Sequence, residues 1–341
     1  MANLRANSIV GVGSTDAGVV FDGVTKIKTQ NYFYLQTGNT DARFPNFRGA
    51  DASSARGVFA GGYAPANSNV IDYITISSTG NATDFGDLIG ATANPGAVAS
   101  PVRGVFAGGY VVPTNINGIQ YITISSTGNA LDFGDLTSTR NNTAGCSSST
   151  RGIFAGGAPN INTIEYITIF SSGNSIDFGD LVVVRSNAGG CSSPTRGIFG
   201  GGDTSPTGFT NSIDYVTIAT TANALDFGDL SAPKDPASCS NNTRGLFAGG
   251  RAPTAINVIE YITIASTGNV TDFGDLSGTR TFLEGTASSI RGVFGGGSTP
   301  TAVNIIEYVT ILTTGNAVDF GDLTLARFSL SACSNGHGGL G

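Results

Sequence analysis

The sequence predicts an all-β protein, a β-propeller of four-stranded blades, from three observations. The first is a repeat: an Arg-Gly pair recurs at Arg56, Arg103, Arg151, Arg196, Arg244 and Arg291, at steps of 45 to 48 residues. The tyrosines Tyr73, Tyr121, Tyr166, Tyr215, Tyr261 and Tyr308 keep the same step. A fixed period of this length means one supersecondary unit arrayed many times, none of which buries its apolar faces alone. The second is composition: 50 glycines, scarce Lys and Glu, and 12% charged residues are poor material for helices, whereas the β-branched and aromatic residues cluster in short runs. The third is that each unit carries four strand signals, the number a propeller blade needs.

Within one unit, the first strand is a run of small residues such as AGCSSST and the second is RGIFAGG, whose Gly-Gly end permits a sharp exit. The third is IEYITI and the fourth IDFGDL, joined by SSTGN, in which Gly-Asn fits a tight hairpin. The third strand is apolar on both faces, with Ile71 and Tyr73 set against Ile74 and Ile76, so both faces are expected to be covered.

First-strand signals outnumber the other three. They precede all six Arg-Gly pairs, and the C-terminal RFSLSACSNGHGGLG continues the series with Cys333 and Asn335. Residues 1–48 contain worn counterparts of the missing strands in SIVGVGS, GVVFDGV and NYFYLQTGN. The expected architecture is therefore one propeller over residues 1–341. Residues 1–48 supply the outer strands of a seventh, closing blade, 49–326 form six full repeats, and 327–341 form the innermost strand of the closing blade. Closure removes free sheet edges. The alternative is six blades with residues 1–48 as an attachment arm.

A net charge of −7 argues against nucleic acid, which selects a basic surplus. Twelve of the 24 acids lie in the six DFGD motifs, so the acidity belongs to the repeat itself. No long apolar run and no charged-then-apolar leader appear, so neither membrane insertion nor ordinary secretion is expected. The cysteines Cys146, Cys191, Cys239 and Cys333 hold the same place in their repeats, a blade apart, and read as free and buried. No converging metal ligands accompany them, so no metal and no cofactor is expected.

Repetition also argues against catalysis. A catalytic site needs unlike groups converging once, whereas Arg56, Arg103, Arg151, Arg196, Arg244 and Arg291 and the DFGD acids Asp84, Asp132, Asp177, Asp226, Asp272 and Asp319 recur in equivalent settings. They are assigned structural roles, in arginine–carboxylate pairing and turn hydrogen bonds. Two carboxylates flanking Phe-Gly supply too few oxygens for calcium. The GVG and GGG strings lack the helix and lysine of a phosphate cradle. His337, the one histidine, reads as a strand-end residue. No catalytic residue is assigned.

What varies is the loop between the second and third strands, from YAPANSN to DTSPTGFTNS. It shares a face with the connections before each first strand, which carry Arg140, Arg185, Lys234, Arg280 and Arg327. That face is expected to be variable, partly aromatic and locally basic, and the candidate binding residues on it are Tyr63, Tyr110, Phe209 and Arg251.

The Gly-Gly pair, the tyrosine 9 to 13 residues later and the aromatic opening the fourth strand resemble Kelch repeats, with Phe85, Phe133, Phe178, Phe227, Phe273 and Phe320 where Kelch units usually carry Trp. The ligands of the copper oxidase and the Asp-box of the sialidases, found in such propellers, are not matched. The tandem YITI…TGNATDFGDL units and the opening TQNYFYLQTGNT are similar to repeats in structural proteins of tailed bacteriophages, particularly marine ones. That resemblance implies a non-enzymatic virion component, assembled in the host cytoplasm. It would be a tail-fibre or appendage propeller, carried in several copies among other virion proteins and binding a host-surface glycan. The alternatives are a purely structural or decoration module of the virion and a cellular Kelch interaction scaffold.

Overall fold

The computed structural model describes residues 55–340. They form six four-stranded antiparallel blades, so the expected seventh blade is not found among the described residues and the count is corrected to six. The first blade shows why. Its second, third and outer strands are Arg56–Ala60, Val70–Thr75 and Thr83–Asp87, and its inner strand is the C-terminal Ser331–Ser334. The C-terminal strand does close the ring, but on the repeat that begins at Arg56, with Val58 opposite Cys333 and Phe59 opposite Ala332. Six blades need six inner edges and the sequence offers seven candidates; the one at Asp51 and Ser53, like everything assigned to residues 1–48, lies outside the described residues.

The other five blades are contiguous in sequence, with inner strands Gly96–Ala99, Ala144–Ser147, Gly189–Ser192, Ala237–Ser240 and Glu284–Ala287. Each Gly-Gly exit takes a left-handed turn; Gly61 has φ 67° and lies so close to the next connection that a Cβ would stand 2.4 Å from the Thr92 carbonyl.

The apolar core is divided among the seams. One cluster joins Val58, Ile71 and Phe85 of the first blade to Phe106, Ile122 and Ile124 of the second, and equivalent clusters follow around the ring. Within a blade the tyrosine of the third strand meets the phenylalanine of the fourth edge-on, as in Tyr73 and Phe85 at 5.9 Å between ring centres.

The repeat-constant residues serve these seams. Each arginine of Arg-Gly stacks on its own blade's tyrosine, Arg56 4.7 Å above the Tyr73 ring, and donates to a carbonyl of the next blade, Arg56 to Ile124 at 3.0 Å. Arg291 closes the circle by donating to Ile76 at 3.1 Å. The carboxylate partner expected for these arginines is therefore replaced by an aromatic face and a carbonyl. The first DFGD acids, Asp84 and its counterparts Asp132, Asp177, Asp226, Asp272 and Asp319, lie exposed on the outer strands. The SSTGN hairpins are clasps: Gly128 and Ala130 donate to the Phe85 and Asp87 carbonyls, both at 2.8 Å, while the Asn129 side chain accepts the Asp87 amide at 3.1 Å. Nearer the axis, seryl hydroxyls link inner strands, Ser192 to the Ser147 carbonyl and Ser240 to that of Ser192, both at 2.8 Å.

The glycine of Arg-Gly is set by a neighbour rather than by backbone torsion. A Cβ at Gly197 would come 2.5 Å from Cys146 Sγ, and one at Gly245 2.7 Å from Cys191 Sγ. The four cysteines, free and buried, thus fill the hollows that these glycines leave. Overpacking of this kind costs about 1–3 kcal/mol. Gly197→Ala is expected to lose that much in urea denaturation and to recover most of it in combination with Cys146→Ala. Equal loss in single and double variants would refute the packing account.

Candidate binding face and channel mouth

The loops between second and third strands and the connections between blades do lie on one face, and they are bonded to each other. Tyr63 and Phe328 exchange backbone hydrogen bonds at 2.8 and 3.2 Å, Tyr110 does so with Ala93, Ala158 with Asn141, Asp203 with Ser186, and Ser298 with Thr281. The seam between fourth and fifth blades differs. Its connection, Lys234-Asp235-Pro236-Ala237, is one residue shorter before the inner strand than the others. There the Asp235 side chain replaces the backbone partner and accepts the Arg251 amide at 2.6 Å, Nε at 2.8 Å and Nη2 at 2.6 Å.

Beneath this face lie the basic residues expected to colour it, which is a second correction. Arg140, Arg185, Lys234, Arg280 and Arg327 are at most 1% exposed. Each pairs with the acid before the next blade's tyrosine: Arg140 with Glu165 at 3.2 Å, Arg185 with Asp214 at 2.7 Å, Lys234 with Glu260 at 2.6 Å, Arg280 with Glu307, and Arg327 with Asp72 at 3.2 Å. Burial lowers the four arginines from their ordinary pKa, and the partner carboxylates oppose the shift. In the sixth seam both charges are absent together: Thr92 holds the basic position and Gln120 the acidic one. Gln120 still accepts the Ile89 amide at 2.8 Å, as Asp214 accepts that of Val182 at 3.0 Å.

Three of the four candidate binding residues are brought into one arc. The Arg251 guanidinium lies 5.1 Å from the Phe209 ring centre and 4.5 Å from that of Phe282; Phe282 is 6.0 Å from Phe328, and Phe328 is 5.4 Å from Tyr63. The arc runs from the fourth blade to the first. Tyr110 sits apart from it in a longer hairpin of the second blade, Arg103–Val111 with Thr114–Thr123. Arg251 is no free cation, since Asp235 holds it closely and Asp203 stands 3.9 Å away; burial raises the Asp235 pKa and Arg251 opposes the rise.

Sequence reasoning missed Phe282 and Phe328. Phe282 takes φ 53°, a left-handed conformation in which Asn94, Asn142 and Asn187 hold the equivalent positions. Asparagine tolerates that region and a bulky aromatic does not, so Phe282 is the outlier. The signal in the sequence is an aromatic residue where other repeats place small or polar ones: Asn94, Asn142, Asn187 and Ser329 for Phe282, and Ala93, Asn141, Ser186 and Thr281 for Phe328.

These left-handed residues ring the channel mouth through their backbones. Asn187 donates to the Asn142 carbonyl at 3.0 Å, Asn142 to Asn94 at 2.9 Å, Asn94 to Ser329 at 2.7 Å and Ser329 to Phe282 at 3.0 Å. The circle is open at the short connection, where Pro236 has no amide to give. Inside lies a cavity of about 90 Å³, lined by the ring residues, Asp235, Glu284 and Ser331. Burial pushes the Glu284 carboxyl up to about 8.

A second cavity of about 50 Å³ is lined by inner-strand residues and His337. The Gly339 amide donates to His337 Nδ1 at 3.1 Å, so Nε2 carries the proton and faces the Ala99 carbonyl at 3.1 Å. Burial lowers this imidazole to about 4, keeping it neutral, and its role is to anchor the buried turn Gly338–Leu340. No family model matches this chain, and no curated protein matches it either.

Proposed function

We propose that this protein is a non-enzymatic, Kelch-like propeller of a bacteriophage particle, a tail-fibre or appendage module that attaches to host-surface glycan through the loop face. The observation that carries the reading is the arc of Tyr63, Phe328, Phe282, Arg251 and Phe209, which crosses several blades while the framework beneath it repeats. Aromatic faces stack on sugar rings, and their rigid side chains lose little entropy on binding. Single-site affinity is expected to be weak and attachment to come from many copies on one particle, held among other virion proteins. The second reading, a purely structural or decoration module, is favoured by the use of the constant arginines and hairpins in holding the ring together.

The test replaces residues that the framework does not need. Tyr63→Ala, Tyr110→Ala and Phe209→Ala together are expected to lower binding to host cells at least tenfold and to lower the melting temperature only slightly, because Tyr63 is exposed, Tyr110 and Phe209 are half-buried, and none belongs to the seam clusters. Arg251 is spared, since its loss would strand Asp235. Unchanged cell binding by the triple variant would favour the structural reading.

A further inference from the structure

We propose that the channel mouth is a pocket for an amino sugar with a free amine, with Glu284 as counter-charge to the ammonium group; this rests on the glycan-binding reading of the loop face. Glu284 is alone at its position: the other inner strands begin with Gly96, Ala144, Gly189, Ala237 and Ser331. It lines the cavity, and among the described residues its carboxylate is met by the Gly285 amide and by no cation. On the adjacent inner strand, Ser331 also lines the cavity; it is 3% exposed, and its hydroxyl has no hydrogen-bond partner.

Buried polar groups are ordinarily hydrogen-bonded, so the open Ser331 hydroxyl, beside the half-buried Glu284 carboxyl with no counter-charge at the same cavity, points to a ligand that donates. An ammonium group has three donors and a positive charge. Charge favours it too: Asp203 and Asp235 both stand against the single Arg251 at this sector of the face. The raised pKa of Glu284 reflects the cost of a bare negative charge at this site, a cost that a bound cation offsets.

The surroundings select a sugar over a simple amine. Asn94, Asn142 and Asn187 line the other side of the mouth and are residue types suited to hydroxyl groups, and Phe282 lines it as well. A water needs roughly 10–15 Å³ of such space, so the cavity of about 90 Å³ admits one sugar ring and not a longer chain. The remaining residues of a glycan would lie outward along the aromatic arc.

The experiment is titration calorimetry of the full chain at pH 7 with glucosamine, N-acetylglucosamine and glucose. Glucosamine is expected to bind at least tenfold more tightly than either neutral sugar, and Glu284→Gln to remove that preference while keeping the parent's melting profile. Ser331→Ala should weaken glucosamine severalfold and leave glucose unaffected. Equal binding of the three sugars by the parent overturns the proposal whatever the variants do, as does a preference that survives in Glu284→Gln. The two readings fail separately. Host-cell binding that depends on the arc, without amine preference, removes only the pocket; amine preference with unchanged cell binding in the triple loop variant removes the attachment role.

Discussion

Deletion of residues 327–341 is expected to abolish the cooperative fold. The first blade would lose its inner strand Ser331–Ser334, leaving the edge of Arg56–Ala60 open beside the fully buried Val58 and Phe59. The same deletion takes away Arg327 and strands Asp72, which is 0% exposed. Breaking a buried pair in this way costs about 3–5 kcal/mol by itself, against a total of about 5–15 kcal/mol for a typical folded protein. An exposed strand edge also templates association between chains. The truncated chain should elute as aggregate and show no sharp melting transition. A monodisperse product that melts with the parent would show that the closure contributes little.

Arg140→Thr is expected to cost about 3–5 kcal/mol, because Glu165 would be left charged and fully buried. The double variant Arg140→Thr with Glu165→Gln should recover at least half of that loss. The reason is in the protein itself, where Thr92 and Gln120 occupy the same two places in the seam between first and second blades. The carboxamide oxygen introduced by Glu165→Gln would still accept the Thr137 amide, which Glu165 accepts at 3.2 Å. Urea denaturation of the four proteins gives the coupling directly, expected near ~2 kcal/mol and within the range for residues in contact. Additive losses in the double variant would mean that the pair is not energetically coupled, and that the joint substitution at Thr92 and Gln120 has no bearing on the seam.

The blade framework was legible in the sequence because its signals are local. Tyr73 and Phe85, the Gly-Gly exit at Gly61 and Gly62 and the hairpin at Gly80 and Asn81 fall within one unit, and repetition multiplies them sixfold. The blade number was not legible, because Ser53 and Asn335 fit one series equally well and only pairing decides which flanks Arg56; Asn335 accepts the Arg56 amide at 2.8 Å. The buried arginines were misread as a basic face because each partner lies in the next repeat, beyond the reach of a local pattern. One signal was present: the repeat whose tyrosine follows Gln120, not an acid, is also the one preceded by Thr92 in place of Arg or Lys. Of the aromatic arc, Tyr63, Phe209 and Arg251 were found from loop variation, whereas Phe282 and Phe328 hide in connections where the eye follows the basic residue beside them.

The closure by Ser331–Ser334 also sets an order in time. Five blades have each inner strand directly before its partners in sequence, so their pairing is complete as soon as a unit has been made. The first blade has three strands by Asp87 and waits for its fourth until Ser331–Ser334 has been made. At translation speeds of about 5–20 residues per second, that wait is roughly 10–50 s. Throughout it, Arg56–Ala60 presents an unpaired edge to any inner strand nearby, including one from a neighbouring nascent chain. The seam that makes the finished ring whole is the one at which two unfinished rings are able to exchange strands.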